Sequence, residues 1–141
     1  MRVLISLFLI FIIGGCAKKS TTSINSSMQD YENLAYEVLN VKPIEFSKNS
    51  SNDYVLATYY KTNSNVTGTE VLNYAIINIE RNQVEKKGVL PQGRINWISD
   101  YQVEIFSPPG ITKNPNETPD DYTEIYDVKT GKTTSKKGAR N

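Results

Sequence analysis

The chain has no histidine, one cysteine and one tryptophan in 141 residues. Without histidine there is no Ser-His-Asp or Cys-His relay, and the imidazole ligands of the common zinc sites are missing. A lone cysteine closes no disulfide within the chain, so the fold must stand on its apolar core. Carboxylate pairs and Ser-Lys dyads remain open for catalysis, and neither shows a motif. Sixteen basic residues face 15 acidic ones, a balance that sets up no field to attract nucleic acid. No apolar run reaches the roughly 20 residues a membrane-spanning helix needs. The expectation is a non-enzymatic protein with no cofactor and no metal.

What is present starts at the N-terminus. Met1 and Arg2 precede an unbroken apolar stretch from Val3 to Ile13, followed by Gly14, Gly15 and Cys16. A basic start, a short apolar core and small residues make a secretory signal peptide. The run Ile13-Gly14-Gly15-Cys16 resembles the lipobox of bacterial lipoproteins, the site read by lipoprotein signal peptidase. The resemblance covers residues 1–16. It implies that the Cys16 thiol takes a diacylglycerol by thioether linkage and that the peptide bond before it is cut. A thiol is the nucleophile such a step needs; a serine hydroxyl is far weaker at neutral pH. Each buried methylene contributes about 0.8 kcal/mol and one myristoyl chain alone binds marginally, so the several chains of a lipoprotein would hold the protein at the membrane. Ala17, where an aspartate in enteric bacteria favours inner-membrane retention, implies an outer-membrane location facing the periplasm.

The rest divides into a tether and one domain. Residues 16–26, rich in Lys, Ser and Thr, read as the lipidated cysteine and a flexible tether reaching roughly 15–20 Å by random-coil scaling. Residues 27–138 read as a single β-rich domain with an N-terminal helix, and 139–141 as a frayed tail. Ser27 looks like a helix N-cap with Asp30 following. Tyr31, Leu34, Ala35, Val38 and Leu39 then form one apolar stripe at helical spacing, with Pro43 past its end.

From Asp53 the pattern becomes β. Tyr54–Lys61 and Val71–Glu80 are rich in Val, Ile, Tyr and Thr. The second is apolar on both parities and predicts a central strand covered on both faces, with the Ser27 helix as one cover. Arg81-Asn82 turns into Gln83–Val89, a more polar edge strand. Arg94–Ile98 and Tyr101–Phe106 read as a hairpin. If Ile95 and Trp97 face inward together with Tyr101, Val103 and Ile105, Trp97 pairs with Tyr101 across the loop Ile98-Ser99-Asp100. A long polar loop to Asp121, a strand Tyr122–Val128, a turn at Lys129-Thr130-Gly131 and a short last strand follow.

The β region carries the same unit twice, at an offset of about 48 residues. Asn52-Asp53-Tyr54-Val55-Leu56 lines up with Ser99-Asp100-Tyr101-Gln102-Val103, and Tyr74–Ile79 with Tyr122–Val128. Trp97-Ile98-Ser99-Asp100, Val103, Phe106 and Asp127-Val128-Lys129-Thr130-Gly131 resemble a TolB-like β-propeller blade over residues 94–132. That family's hairpin reads Trp-Ser-Pro-Asp-Gly; here Ile98 and Ser99 replace Ser and Pro, Tyr101 replaces the glycine, and the spacing is one residue short. Propellers typically need about four to eight blades, and this chain has room for two. The expected fold is mainly β: an antiparallel meander of seven to eight strands, two blade-like repeats forming a small sandwich or barrel, with one amphipathic helix.

Few residues stand out as a site. Trp97 with Tyr59, Tyr60 and Tyr101 could line a groove for sugar or peptide, because such rings offer apolar area with a polar tip; tyrosine is also an ordinary strand residue. Tyr59 and Tyr60 point to opposite faces, so at least one is expected to be exposed. The loop Asn114–Asp121 clusters oxygen ligands without the spacing of a calcium loop, and reads as solvated. Glu80, Glu85 and Glu104 lie along strands and are expected to pair with cations. The combined expectation is a lipid-anchored envelope protein that binds an envelope protein or the cell wall. The alternative is a small inhibitor or immunity-type lipoprotein that blocks an enzyme such as a lysozyme.

Overall fold

The computed structural model describes residues 24–42, 44–62, 70–111 and 114–138. The lipobox residues Ile13, Gly14, Gly15 and Cys16 lie outside the described residues, as do the tether up to residue 23 and the tail 139–141.

Helix α1 spans Ile24–Leu39. Its apolar stripe does what the spacing predicts: Tyr31 and Ala35 are buried, and Leu34, Val38 and Leu39 pack beside them. Ser27 does not cap it. The helix begins at Ile24 and takes in residues 24–26, assigned to the tether from sequence. No glycine or proline separates Ile24 from the docked stripe, and once a helix is nucleated, extending it is easy. The C-terminal end is set by Asn40, whose φ of 52° is left-handed and whose N–H donates to the Tyr36 carbonyl at 2.9 Å, a common helix stop.

Eight strands follow. Strands β1 (Glu45–Lys48), β2 (Tyr54–Thr62), β3 (Glu70–Asn78) and β4 (Gln83–Pro91) form one sheet in chain order. Strands β5 (Arg94–Trp97), β6 (Gln102–Phe106), β7 (Thr123–Asp127) and β8 (Lys132–Ser135) form the second in the same manner. Every ladder is antiparallel. Among the described residues no ladder joins the sheets, which pack as a sandwich and not a barrel. The sequence reading missed β1, whose four residues are too short to show an alternation. It also missed the 3₁₀ turn Pro119–Tyr122 within the long polar loop.

Period-two alternation decides what each face of the first sheet touches. Leu56, Leu72, Tyr74 and Ile76 meet Ile95, Val103, Ile105 and Tyr126 of the second sheet. Val55, Ala57, Ala75 and Ile77 meet α1. Strand β3 is therefore covered on both sides and β4 is an edge, as the patterns predict. At the crossing from β4 to β5 the chain passes so close to β6 that a Cβ on Gly93 would lie 2.5 Å from the Phe106 carbonyl oxygen and 2.6 Å from Leu90 Cβ.

Two corrections concern register. Trp97 pairs with Val103, not Tyr101, and Ile98 N–H donates to the Gln102 carbonyl at 2.9 Å. The parity of the inward residues survives the slip by two, because Ile95, Trp97, Val103 and Ile105 still share a face. Tyr101 drops out of the strand into the loop. Secondly, the repeat holds, displaced by one residue at its start. Ile79 N–H donates to the Asp53 carbonyl as Val128 N–H donates to that of Tyr101, each at 2.9 Å. Tyr54 therefore corresponds to Gln102. The turn after each third strand is closed alike: Asn78 Oδ1 accepts from Arg81 N–H, and Asp127 Oδ1 from Thr130 N–H, both at 2.8 Å.

With the alignment corrected, the stacking has a direction. Phe46, Val55, Ile77 and Ile79 face α1, while their counterparts Ile95, Val103, Tyr126 and Val128 face the first sheet. The first sheet covers the second as α1 covers the first. The sheets are stacked in one sense, like successive blades, and α1 takes the place of a preceding blade.

Candidate functional site

Two edge strands, β1 and β5, run along one side of the sandwich, and a groove of about 370 Å³ opens between them. Its apolar floor is Leu56 and Ile95, which belong to the core between the sheets. Ser47, Thr58 and Tyr60 reach it from the first sheet because they share the Leu56 face. Asn96 and Trp97 line it from the second. The half-buried Trp97 ties the groove together, since its indole Nε1–H donates to the Ser47 carbonyl at 3.0 Å across the sheets. Tyr60 is 45% exposed. The groove therefore offers the Trp97 and Tyr60 rings and the Ser47 and Thr58 hydroxyls, while the third aromatic residue of its lining, Phe46, packs toward α1; among the described residues Glu45 is the one charged residue of the lining.

Of the four aromatic residues singled out from sequence, the structure brings Trp97 and Tyr60 together here and leaves the others elsewhere. Tyr59 is half-buried on the opposite face of β2, paired with Asn73. Tyr101 belongs to a polar clasp at the end of the sandwich where the β1–β2 and β5–β6 connections meet. Its ring meets Tyr54 edge-on at 6.3 Å, and Lys129 Nζ sits 3.5 Å from its centroid.

The clasp was not legible as a site. Asn49 is 4% exposed; its amide nitrogen donates to Asp53 Oδ1 at 2.6 Å, to the Asp100 carbonyl at 2.8 Å and to Ser51 Oγ at 3.1 Å. Its Oδ1 accepts from Tyr54 N–H at 3.0 Å. Ser51 N–H donates to Asp100 Oδ1 at 2.8 Å, and Ser51 Oγ to Asp53 Oδ1 at 2.6 Å. Burial pushes the Asp53 carboxyl up, but the hydrogen bonds from Ser51, Asn49 and the backbone, with Lys129 nearby, outweigh it and hold the group below the ordinary Asp value. Buried amides are costly unless satisfied. Asp100, which accepts from the Asn49 amide and from Ser51 N–H, belongs to the second unit, so the clasp ties the two sheets together at this end. The signal available in sequence was the run Asn49–Asp53, composed of residues that bond their own backbone in turns.

The acidic residues are engaged in ion pairs and turns. Glu85 pairs with Arg81, four residues before it in the turn and not across facing strands, and Glu104 lies 2.5 Å from Lys136 Nζ just past β8. Glu80 is exposed. In the loop before β7, Asp121 accepts from Thr118 N–H at 2.9 Å and pairs with Lys137 at 2.5 Å; these bonds, that from Lys137 foremost, hold its carboxyl low. Tyr122 donates to Glu117, which raises the phenol to about 12. Among the described residues no group of three or more acidic side chains is placed to hold a metal ion.

A second groove of about 430 Å³ lies on the far side, where Lys86 of β4 and Glu124 of β7 stand among Tyr74 and Tyr122. Burial, then Glu124 and Tyr126, raise the Tyr74 phenol above its ordinary value. This groove lacks the Trp97–Tyr60 pair of the first.

No protein family matches the chain, and neither a curated protein nor a solved structure matches it. What can be stated as found is the architecture: a mainly β protein of two four-stranded antiparallel sheets and one helix. No helix among the described residues is long and apolar enough to cross a membrane.

Proposed function

We propose that this is a lipid-anchored protein of the bacterial cell envelope, held by acylated Cys16 and facing the periplasm, whose β sandwich is a non-enzymatic binding module for an envelope protein or the cell wall. The observation that carries the binding reading is the meeting of Trp97 and Tyr60 in the groove between β1 and β5. Exposed aromatics on a rigid scaffold are the side chains that most often dominate recognition. The lipobox resemblance supports the anchor.

Two variants test the two halves separately. Cys16→Ala should leave unprocessed precursor in the native host, read as a mass shift and loss of acyl labelling; maturation of this variant would overturn the anchor. Tyr60→Ala, at a 45% exposed position, should keep the circular dichroism spectrum and lose the partner that co-purifies stoichiometrically with the wild type. An unchanged partner would remove the groove from the reading.

One feature favours the inhibitor-type alternative. Ile111, beside Pro108, Pro109 and Gly110, is 80% exposed, a side chain a foreign active site could receive. Ile111→Asp would abolish inhibition under that reading and leave a groove-bound partner in place.

A further inference from the structure

The chemistry of the β1–β5 groove narrows what it can take. We infer that it is a binding site for an uncharged stretch of a linear glycan, with a sugar ring stacked on the Trp97–Tyr60 aromatics; this rests on the reading of the groove as the binding surface. A pyranose ring has an apolar C–H face and a rim of hydroxyls. It therefore needs aromatic planes below and neutral donors and acceptors at the side. The groove supplies both: Trp97 and Tyr60 give the planes, while Ser47 and Thr58 give two hydroxyls. Glu45 adds a carboxylate that can accept from sugar hydroxyls. The volume of about 370 Å³ is at the small end of ligand sites, and the groove lies along the side of the sandwich, so a chain longer than the site can run past it.

Other occupants fit less well. Among the described residues no lysine or arginine lines the groove, so a phosphate or other polyanion finds no countercharge there, and Glu45 repels it. An extended peptide would add to a sheet edge, yet both bordering strands are only four residues long. They carry Glu45, Lys48 and Arg94, and short, charged edges discourage strand addition.

Trp97 is the only tryptophan in the chain, so intrinsic tryptophan fluorescence reads this site and no other. The experiment titrates the purified protein, without its signal peptide, with N-acetylglucosamine tetramer and with a cellulose tetramer. An unrelated extended peptide and inorganic phosphate are run beside them. The expected result is a saturable change in Trp97 emission with at least one glycan, none with peptide or phosphate. Tyr60→Ala, which keeps the fluorophore, should weaken that affinity about tenfold, equivalent to about 1.4 kcal/mol, and Thr58→Ala should weaken it less. A response to peptide alone overturns the glycan inference while leaving the binding-module reading standing. A glycan response that Tyr60→Ala and Thr58→Ala leave unchanged places the sugar elsewhere and also overturns it. Silence with every probe overturns it as well; the binding-module reading is then judged by the Tyr60→Ala co-purification alone.

Discussion

The two sheets have the same strand order and the same turn bonds, but they are not equally protected. The first is covered on both faces, by α1 and by the second sheet. The second is covered on one. Counterpart positions show the consequence: Tyr54, Leu56 and Ile76 are buried, whereas Gln102 and Glu104 are polar and Ile125 is half-buried. Among the described residues nothing packs on the outer face of the second sheet, and that face is polar, of the kind that caps a stacked repeat. The lesson is that one structural unit tolerates very different compositions on the face where its surroundings differ.

The sharpest way to break this comparison is the same substitution at matched positions. Ile76→Ala, at a side chain 0% exposed, should cost about 2–5 kcal/mol by losing transfer energy and leaving a cavity. Ile125→Ala, on the open face of the second sheet, should cost on the order of 1 kcal/mol, because an already half-exposed side chain has less burial to lose. Urea unfolding measures both, and equal costs would mean that the open face is covered in solution. An effect smaller than that of Ile76→Ala is expected where the units join. Gly93→Ala should cost about 1–3 kcal/mol through overpacking, since the added Cβ meets the Phe106 carbonyl at 2.5 Å. Thermal denaturation checks this, with Gly110→Ala, where nothing lies within 4 Å of the added Cβ, as the control.

The smallest effect separates the turns. The first closes on neutral Asn78, the second on Asp127. The backbone N–H and then the hydroxyl of Thr130 hold the Asp127 carboxyl below its ordinary value. A lowered native pKa gives stability that is fully present above the unfolded value of about 3.9 and is lost as pH falls through the native value. Asp127→Asn keeps the acceptor used at Asn78 and removes the titration. The variant should therefore show a shallower loss of stability below about pH 4, with little change at neutral pH. A wild-type acid limb in this variant would show that other carboxylates set it.

Much of this architecture was legible, and the errors have a common cause. The helical stripe of Tyr31, Leu34, Ala35, Val38 and Leu39, the doubly apolar β3 and the edge strand β4 follow from periodicity, which the chain carries locally. Pairing partners do not. Trp97 was expected opposite Tyr101 and lies opposite Val103 because Asp100 and Tyr101 are drawn to Asn49, Ser51 and Tyr54, residues distant in sequence. The same pull explains why Tyr101 left the candidate groove. Tyr60 and Trp97 were legible as aromatics with one or both exposed, but not as neighbours, since they sit on different sheets. Strand β1, which brings Ser47 to Trp97, was too short to see.

By itself the sequence determined the class of the longer segments, the face most apolar residues turn inward, the recurrence of one β unit and the chemistries excluded by the lack of histidine. These are properties of neighbours along the chain, fixed by the periods of helix and strand. Only the tertiary structure decided the hairpin register, the one-way stacking of α1 on the first sheet and of that sheet on the second, the Asn49 clasp and the groove between β1 and β5. Each depends on groups far apart in sequence satisfying one another's hydrogen bonds and burying one another's apolar faces, which no local pattern encodes.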